Sequence, residues 1–286
     1  MNINSELTGN KMDIQGILGR IKEALSEVSG VEAIVLGGSR VTGTAGPQSD
    51  IDVGIYYNAS IFDFDALNVA ASRLDDSHRK GLIGKEGDWG PWVNFGAWLQ
   101  INEIAVDLIF RDIARVKQVI QDTNQGTFQA NYQPGHPHAY MNYMYRGELA
   151  YNKVIFAREA SFSDLKILAQ QYPSSLQQNL LQFFGFEAEF YLMLAKKNLG
   201  NQDPYYFHGL LFKMISAFNQ VIFAKNKVYM LNEKKAVHRI MSFQFAPINY
   251  AARIEELFHN LSENPQESLN IAKLLLIEIE SLVVVN

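Results

Sequence analysis

The chain of 286 residues contains no cysteine, which excludes disulfides, thiolate metal sites and a cysteine nucleophile. No run of about 18 apolar residues occurs, so no membrane-crossing helix is expected. Met1 to Glu6 shows no basic stretch leading into an apolar core, so no secretory leader is expected either. These absences together lead us to expect a cytoplasmic protein that does not engage a membrane. Cations are in deficit: 25 Lys and Arg stand against 30 Asp and Glu, for a net charge of −5. That argues against a long nucleic-acid footprint, which needs a basic surface. What is present is core material, with 48% hydrophobic and 12% aromatic residues. This supports one large or two modest packed domains rather than disorder.

The most informative stretch is Val35-Leu36-Gly37-Gly38-Ser39-Arg40, followed ten residues on by Asp50-Ile51-Asp52. Val31 to Leu36 is an apolar run of strand length that ends on two glycines, which permit a sharp turn and close approach to a ligand. Ser39 offers a hydroxyl and Arg40 a positive fork, both suited to phosphate oxygens. After the Thr42–Gln48 loop, Ser49 to Ile55 alternates polar and apolar residues, which predicts a strand carrying Asp50 and Asp52 on one face. Side chains two apart on a strand are separated by about 6.6 Å along its axis. Two such carboxylates repel, so a site that gathers them either raises a pKa or takes a divalent ion. All-oxygen ligands favour Mg²⁺ over zinc. A third acid, Asp107, punctuates the apolar strand-like run Glu103 to Phe110.

The ordered set Gly37-Gly38-Ser39, Asp50-Ile51-Asp52 and Asp107 resembles the signature of the DNA polymerase β nucleotidyltransferase superfamily, over roughly residues 30–112. The resemblance implies that Asp50, Asp52 and Asp107 are catalytic and hold Mg²⁺, two ions in all. It further implies that Gly37, Gly38, Ser39 and Arg40 cradle an NTP, and that Asp107 completes the metal site or takes a proton from the acceptor. The wider layout is similar to two-domain aminoglycoside and lincosamide nucleotidyltransferases. The expected fold is thus an α/β (α+β) nucleotidyltransferase domain with a mixed β-sheet over residues 1–150, then an all-α helical bundle over 151–286. The expected activity is transfer of a nucleoside monophosphate from an NTP, ATP foremost, to a hydroxyl of a small molecule, with antibiotic modification as one form of it. A protein or RNA acceptor and a non-catalytic nucleotide-binding module are the alternatives.

Along the chain, helical spacing is read at Met12 to Val28, Phe62 to Leu74 and 112–122. A glycine-rich loop at His78 to Pro91 lies among Trp89, Trp92 and Trp98, and a hairpin follows at 92–100 and 103–110. Further helices are expected at Leu165 to Gln171, Leu176 to Leu199, Pro204 to Ala224, Ala251 to His259 and Leu269 to Val284. Pro134-Gly135-His136-Pro137-His138, continuing to Arg146 and Glu148, concentrates polar groups. They could assist an acceptor's deprotonation or simply bond within a connector. Between Lys196 and Arg239 lie eight cations and only Asp203 and Glu233 as acids, which suggests a basic wall. Lys234 is the expected triphosphate contact there. Arg253 and His259 have a spacing found in small helical nucleases, and also in ordinary surface helices.

Overall fold

The computed structural model describes residues 13–43, 46, 49–201 and 203–284, without the side chains of Thr42 and Val284. The first eleven residues, Met12 at the expected helix start, and Thr44, Ala45, Pro47 and Gln48 of the expected loop lie outside the described residues. In chain order the elements are α1 (Ile14–Leu25), β1 (Val31–Leu36), α2 (Gly38–Thr42), β2 (Ile51–Tyr57), α3 (Phe64–Leu74), β3 (Gly96–Ile101), β4 (Ile104–Asp112) and α4 (Ile113–Asn124). Then come β5 (Ala130–Asn131), β6 (Tyr140–Met141), α5 (Met144–Tyr151), β7 (Lys153–Ala157), α6 (Ala160–Gln170), α7 (Ser174–Asn198), α8 (Pro204–Lys225), α9 (Ala236–Ile240), α10 (Tyr250–Glu263) and α11 (Pro265–Val284). This is an α/β domain with a mixed sheet, followed by a helical region.

The chain packs as two compact units, Met1–Val116 with Tyr151–Lys166, and Lys117–Ala150 with Ile167–Asn286. The expected boundary at 150/151 is one of three points where the chain passes between them.

In the first unit, five strands run in the order β3-β4-β2-β1-β7. Only β2 and β4 are parallel; the other neighbours are antiparallel. Asp13 caps α1 by accepting the Gly16 amide (2.8 Å), and Asp63 caps α3 through the Ala66 amide (2.9 Å), each satisfying a donor the helix cannot. The apolar stripes Ile17, Leu18, Ile21, Leu25 and Leu67, Ala70, Ala71, Leu74 join the sheet residues Val31, Ile34, Val53, Ile55, Val106 and Leu108 in one core. Asn102 and Glu103, at φ 53° and 62°, make the two-residue turn whose twist suits an antiparallel hairpin. Asp76 holds it by accepting both their amides (3.0 and 2.8 Å).

In the second unit α7, α8, α10 and α11 pack together. Asp203 caps α8 through the Tyr206 amide (3.1 Å), with Pro204 at the helix start, where its missing donor is harmless. From Met214 to Ala224 every α8 residue is buried. Its polar groups find partners inside: Asn219 accepts the Tyr250 hydroxyl (2.8 Å) and Gln220 that of Tyr143. By length and composition α8 passes as a membrane span, but its surroundings are those of a core helix.

Candidate active site

The turn after β1 is built by two glycines with different tasks. Gly37 is extended, and its amide donates to the Asp52 carbonyl (2.8 Å), continuing the antiparallel register that sets Leu36 opposite Val53. Gly38 has φ +62°, and a Cβ added there would overlap the Asp52 carboxylate. Both the left-handed backbone and the closeness of that carboxylate demand a residue without a side chain.

Asp50 stands exposed just before β2, whereas Asp52 lies inside the strand and is half-buried. Across the parallel pair, Asp52 is in register with Asp107 of β4. Neighbouring strands are about 4.8 Å apart and paired residues share a face, so two carboxylates stand side by side. Burial pushes the Asp52 carboxyl above its ordinary range; the Asp50 charge adds to this and Arg40 opposes it. Asp107 is pushed up to about 6 by burial first, then by the charges of Asp52 and Asp50. All three acids therefore act on one another electrostatically. Among the described residues, however, no three His, Cys, Asp or Glu side chains gather closely enough to hold a metal ion by themselves.

Arg40 is engaged with the protein's own backbone. Its Nε donates to the Asp50 carbonyl (3.0 Å) and its Nη2 to the Ser49 carbonyl. The fork thereby fixes the segment that carries Asp50. Ser39 lies half-buried on the short α2.

The remaining candidates are distributed more widely. Lys234 lies in the second unit on an exposed turn ahead of α9, and its amide donates to Asn232 Oδ1 (2.7 Å). The cations around it divide their tasks: Lys213 donates to the His138 carbonyl (2.8 Å), while Lys225 lies 5.2 Å from the Phe245 ring and Arg239 lies 5.6 Å from that of Phe223. Glu148 is half-buried on α5. Arg146 is fully buried and donates to carbonyls throughout its surroundings, so its place is structural. Arg253 pairs with Glu278 of α11 (2.7 Å), and His259 is exposed. Trp89 and Trp98 stack on each other at 4.6 Å, and Trp92 is covered by the Arg115 guanidinium at 3.9 Å.

One residue escaped the sequence reading. Glu233 accepts from His136 Nδ1 (3.2 Å) and from the His138 amide (3.2 Å). The available signal was its isolation as one of two acids in a run of eight cations.

Residues 18–125 match the model of the nucleotidyltransferase domain family. The matched segment carries Gly37, Gly38, Asp50, Asp52 and Asp107, and it is less than half of the chain. None of the curated proteins matches the sequence. Among solved structures, a nucleotidyltransferase-like protein from Exiguobacterium sibiricum 255-15 aligns at 10% identity and a TM-score of 0.43, over 92% of this chain and 71% of that one.

Proposed function

We propose that the chain transfers a nucleoside monophosphate from an NTP, ATP foremost, to a hydroxyl of a small molecule and releases pyrophosphate. The observation that carries this reading is the in-register pair Asp52 and Asp107 beside the Gly37–Gly38 turn, inside the segment that matches the nucleotidyltransferase domain family.

The donor set fits a hard cation. It offers carboxylate oxygens alone, and burial with mutual repulsion disfavours their charged forms, a cost that a bound cation offsets. Asp52 and Asp107, with Asp50, are the residues that would hold Mg²⁺, two ions in the full complement. Bound there, Mg²⁺ supplies charge neutralisation for a triphosphate and its leaving pyrophosphate.

The residues of the chain divide the rest of the work. Gly38 keeps the turn free of side-chain bulk, so a phosphate can approach the backbone. Arg40 holds the Ser49 and Asp50 carbonyls and thereby positions the first acid. The acceptor oxygen forms a bond to the α-phosphorus as the bond to the bridging oxygen of pyrophosphate breaks. Asp107 would complete the metal site or, where no cation lies on it, take the hydroxyl proton. Ser39, on the helix that follows the Gly37–Gly38 turn, is assigned to the triphosphate.

The test is pyrophosphate release from each of the four NTPs with Mg²⁺, against aminoglycosides, lincosamides and simple polyols. Acceptor-dependent release should fall about a thousandfold or more in Asp52→Asn and Asp50→Ala. Equal release by variant and parent would refute the mechanism. Mg²⁺-dependent NTP binding without release on this panel would move the search to protein or RNA acceptors, and binding without turnover on those as well would make this a nucleotide-binding module.

A further inference from the structure

The paired acids belong to a longer row across the sheet. At one end the Gly37 amide donates to the Asp52 carbonyl. Asp52 is in register with Asp107, and Asp107 with Trp98 of the edge strand β3. Paired residues share a face of the sheet, and each step between strands is about 4.8 Å. Trp98 therefore stands on the same face as the two carboxylates, one strand beyond Asp107. Gln100, two residues further along β3, is exposed there too, whereas Ala97, Leu99 and Ile101 turn into the core.

Trp98 is 63% exposed, although tryptophan is on average a well-buried residue. The exposed ring has a built support. The Trp89 indole stacks against it at 4.6 Å with the planes 22° apart. Trp89 itself lies over Gly96, where an added Cβ would come within 2.4 Å of its ring, and its amide donates to the Asn94 carbonyl (2.9 Å). On the outer side of β3, Arg79 donates to the Trp98 carbonyl (2.9 Å). Asp75 accepts from that same Arg79 and from the Gln100 amide (3.0 Å). The indole is thus presented in a set place, which lowers the ordering cost of binding to it.

The direction of the reaction assigns the two ends of the row. Attacking oxygen and leaving pyrophosphate lie roughly in line on opposite sides of the transferred phosphorus. With the triphosphate at the Gly37–Gly38 turn, the acceptor enters from the other end, over Asp107 and toward Trp98. One to two strand spacings, about 5–10 Å, separate the acids from the indole, the span of a ring and the hydroxyl it carries. An indole offers a flat apolar face to such a ring. The Gln100 amide beside it can both donate to and accept from hydroxyls.

We propose that Trp98, backed by Trp89, is the platform that binds the acceptor, and that the acceptor is a cyclic alcohol whose ring lies with its C–H face on the indole. This rests on the transfer reaction proposed for the Asp52–Asp107 pair and adds to it an acceptor-binding residue and a requirement for a ring.

The experiment uses the full chain with 5-fluorotryptophan at its three tryptophans, loaded with Mg²⁺ and a non-hydrolysable ATP analogue. Trp98→Phe identifies the Trp98 fluorine resonance. Myo-inositol, methyl β-glucoside and lincomycin are titrated separately, beside sorbitol, an acyclic alcohol with as many hydroxyls as inositol. At least one cyclic probe should shift the Trp98 resonance saturably, and sorbitol should not. The apparent Kd of that probe, read from its own line broadening, should rise about tenfold in Trp98→Ala and much less in Trp98→Phe. The analogue should bind both variants as it binds the parent. Should Trp98→Ala fail to fold, the contrast between ring and open chain in the parent still decides. A Trp98 resonance indifferent to every cyclic probe, or equally responsive to sorbitol, would overturn the proposal and leave the transfer reaction standing. So would a shift caused by the nucleotide alone with weaker analogue binding in Trp98→Ala, which would make the indole a platform for the base. Absence of Mg²⁺-dependent analogue binding in the parent would instead refute the transfer reaction, and this proposal with it.

Discussion

At the scale of single residues, the in-register acids Asp52 and Asp107 carry a stability cost. Asp107 is lifted from 3.8 to about 6 on folding. Across that window the folded chain holds more protons than the unfolded chain, so stability falls as pH rises through it and stays lowered above it. Asp52 is shifted in the same direction. Asp107→Asn removes this penalty while keeping the side chain's shape. Its urea midpoint should exceed the parent's at neutral pH and converge with it as the pH falls to 3.8, while the proposed transfer activity should be lost. A destabilisation of equal size at every pH would refute the coupling of these acids. The glycine turn and the strand places of Asp52 and Asp107 were legible because a strand-turn and a strand period are local patterns; Asp50, expected in the same strand, lies just ahead of it. The orientation of Arg40 was not, since its partners are main-chain carbonyls that no side-chain pattern announces. The Glu233–His136 contact was hidden for another reason: 97 residues separate its members.

At the scale of elements, Arg146 shows how one buried cation can join three segments. It is fully buried, and its donors reach Thr123 Oγ1 and Asn124 Oδ1 at the end of α4 (2.8 Å each). They also reach the Leu168 and Gln171 carbonyls at and just beyond the end of α6 (2.8 Å each). The Leu168 carbonyl belongs to the last turn of α6, where the next turn's amides are missing, and the Gln171 carbonyl lies just past it. An ammonium cannot reproduce five planar donors. Arg146→Lys should therefore lower unfolding stability by about 3 kcal/mol, the scale for leaving several buried polar groups unmade, measurable by urea denaturation. A change below about 0.5 kcal/mol, the range of an ordinary surface substitution, would deny it this role. The same surroundings explain which elements were legible. Helices such as α1 and α10, with one apolar stripe, could be placed by spacing. By contrast α5 is buried on nearly every side, so it has no period to read. The edge strand β7 is five residues long and follows α5 directly, which leaves no turn signal to announce it. It nevertheless pairs with β1 across 120 residues of chain, and Arg158 beyond it donates to the Val31 and Ser26 carbonyls (2.9 and 2.6 Å).

At the scale of the whole molecule, the placing of charge bears on how a cation can bind. The chain is net negative by five, and part of that excess is gathered at its candidate site as coupled, partly buried acids. Yet the described side chains do not offer three close ligands. Mg²⁺ readily keeps several waters and shares its coordination with substrate phosphates, so the tight complex should form with the nucleotide rather than before it. This separates two stabilities. Mg²⁺ alone, compared with NaCl at matched ionic strength to cancel screening, should raise the urea midpoint of the full chain only slightly. Mg²⁺ with an NTP at about a hundred times its Kd should add about 2.7 kcal/mol, since a ligand that binds only the folded state stabilises by mass action. EDTA should remove that gain, and Asp52→Asn should not acquire it. A gain of the same size in Asp52→Asn, or one that persists in EDTA, would place nucleotide binding away from the Asp52–Asp107 pair.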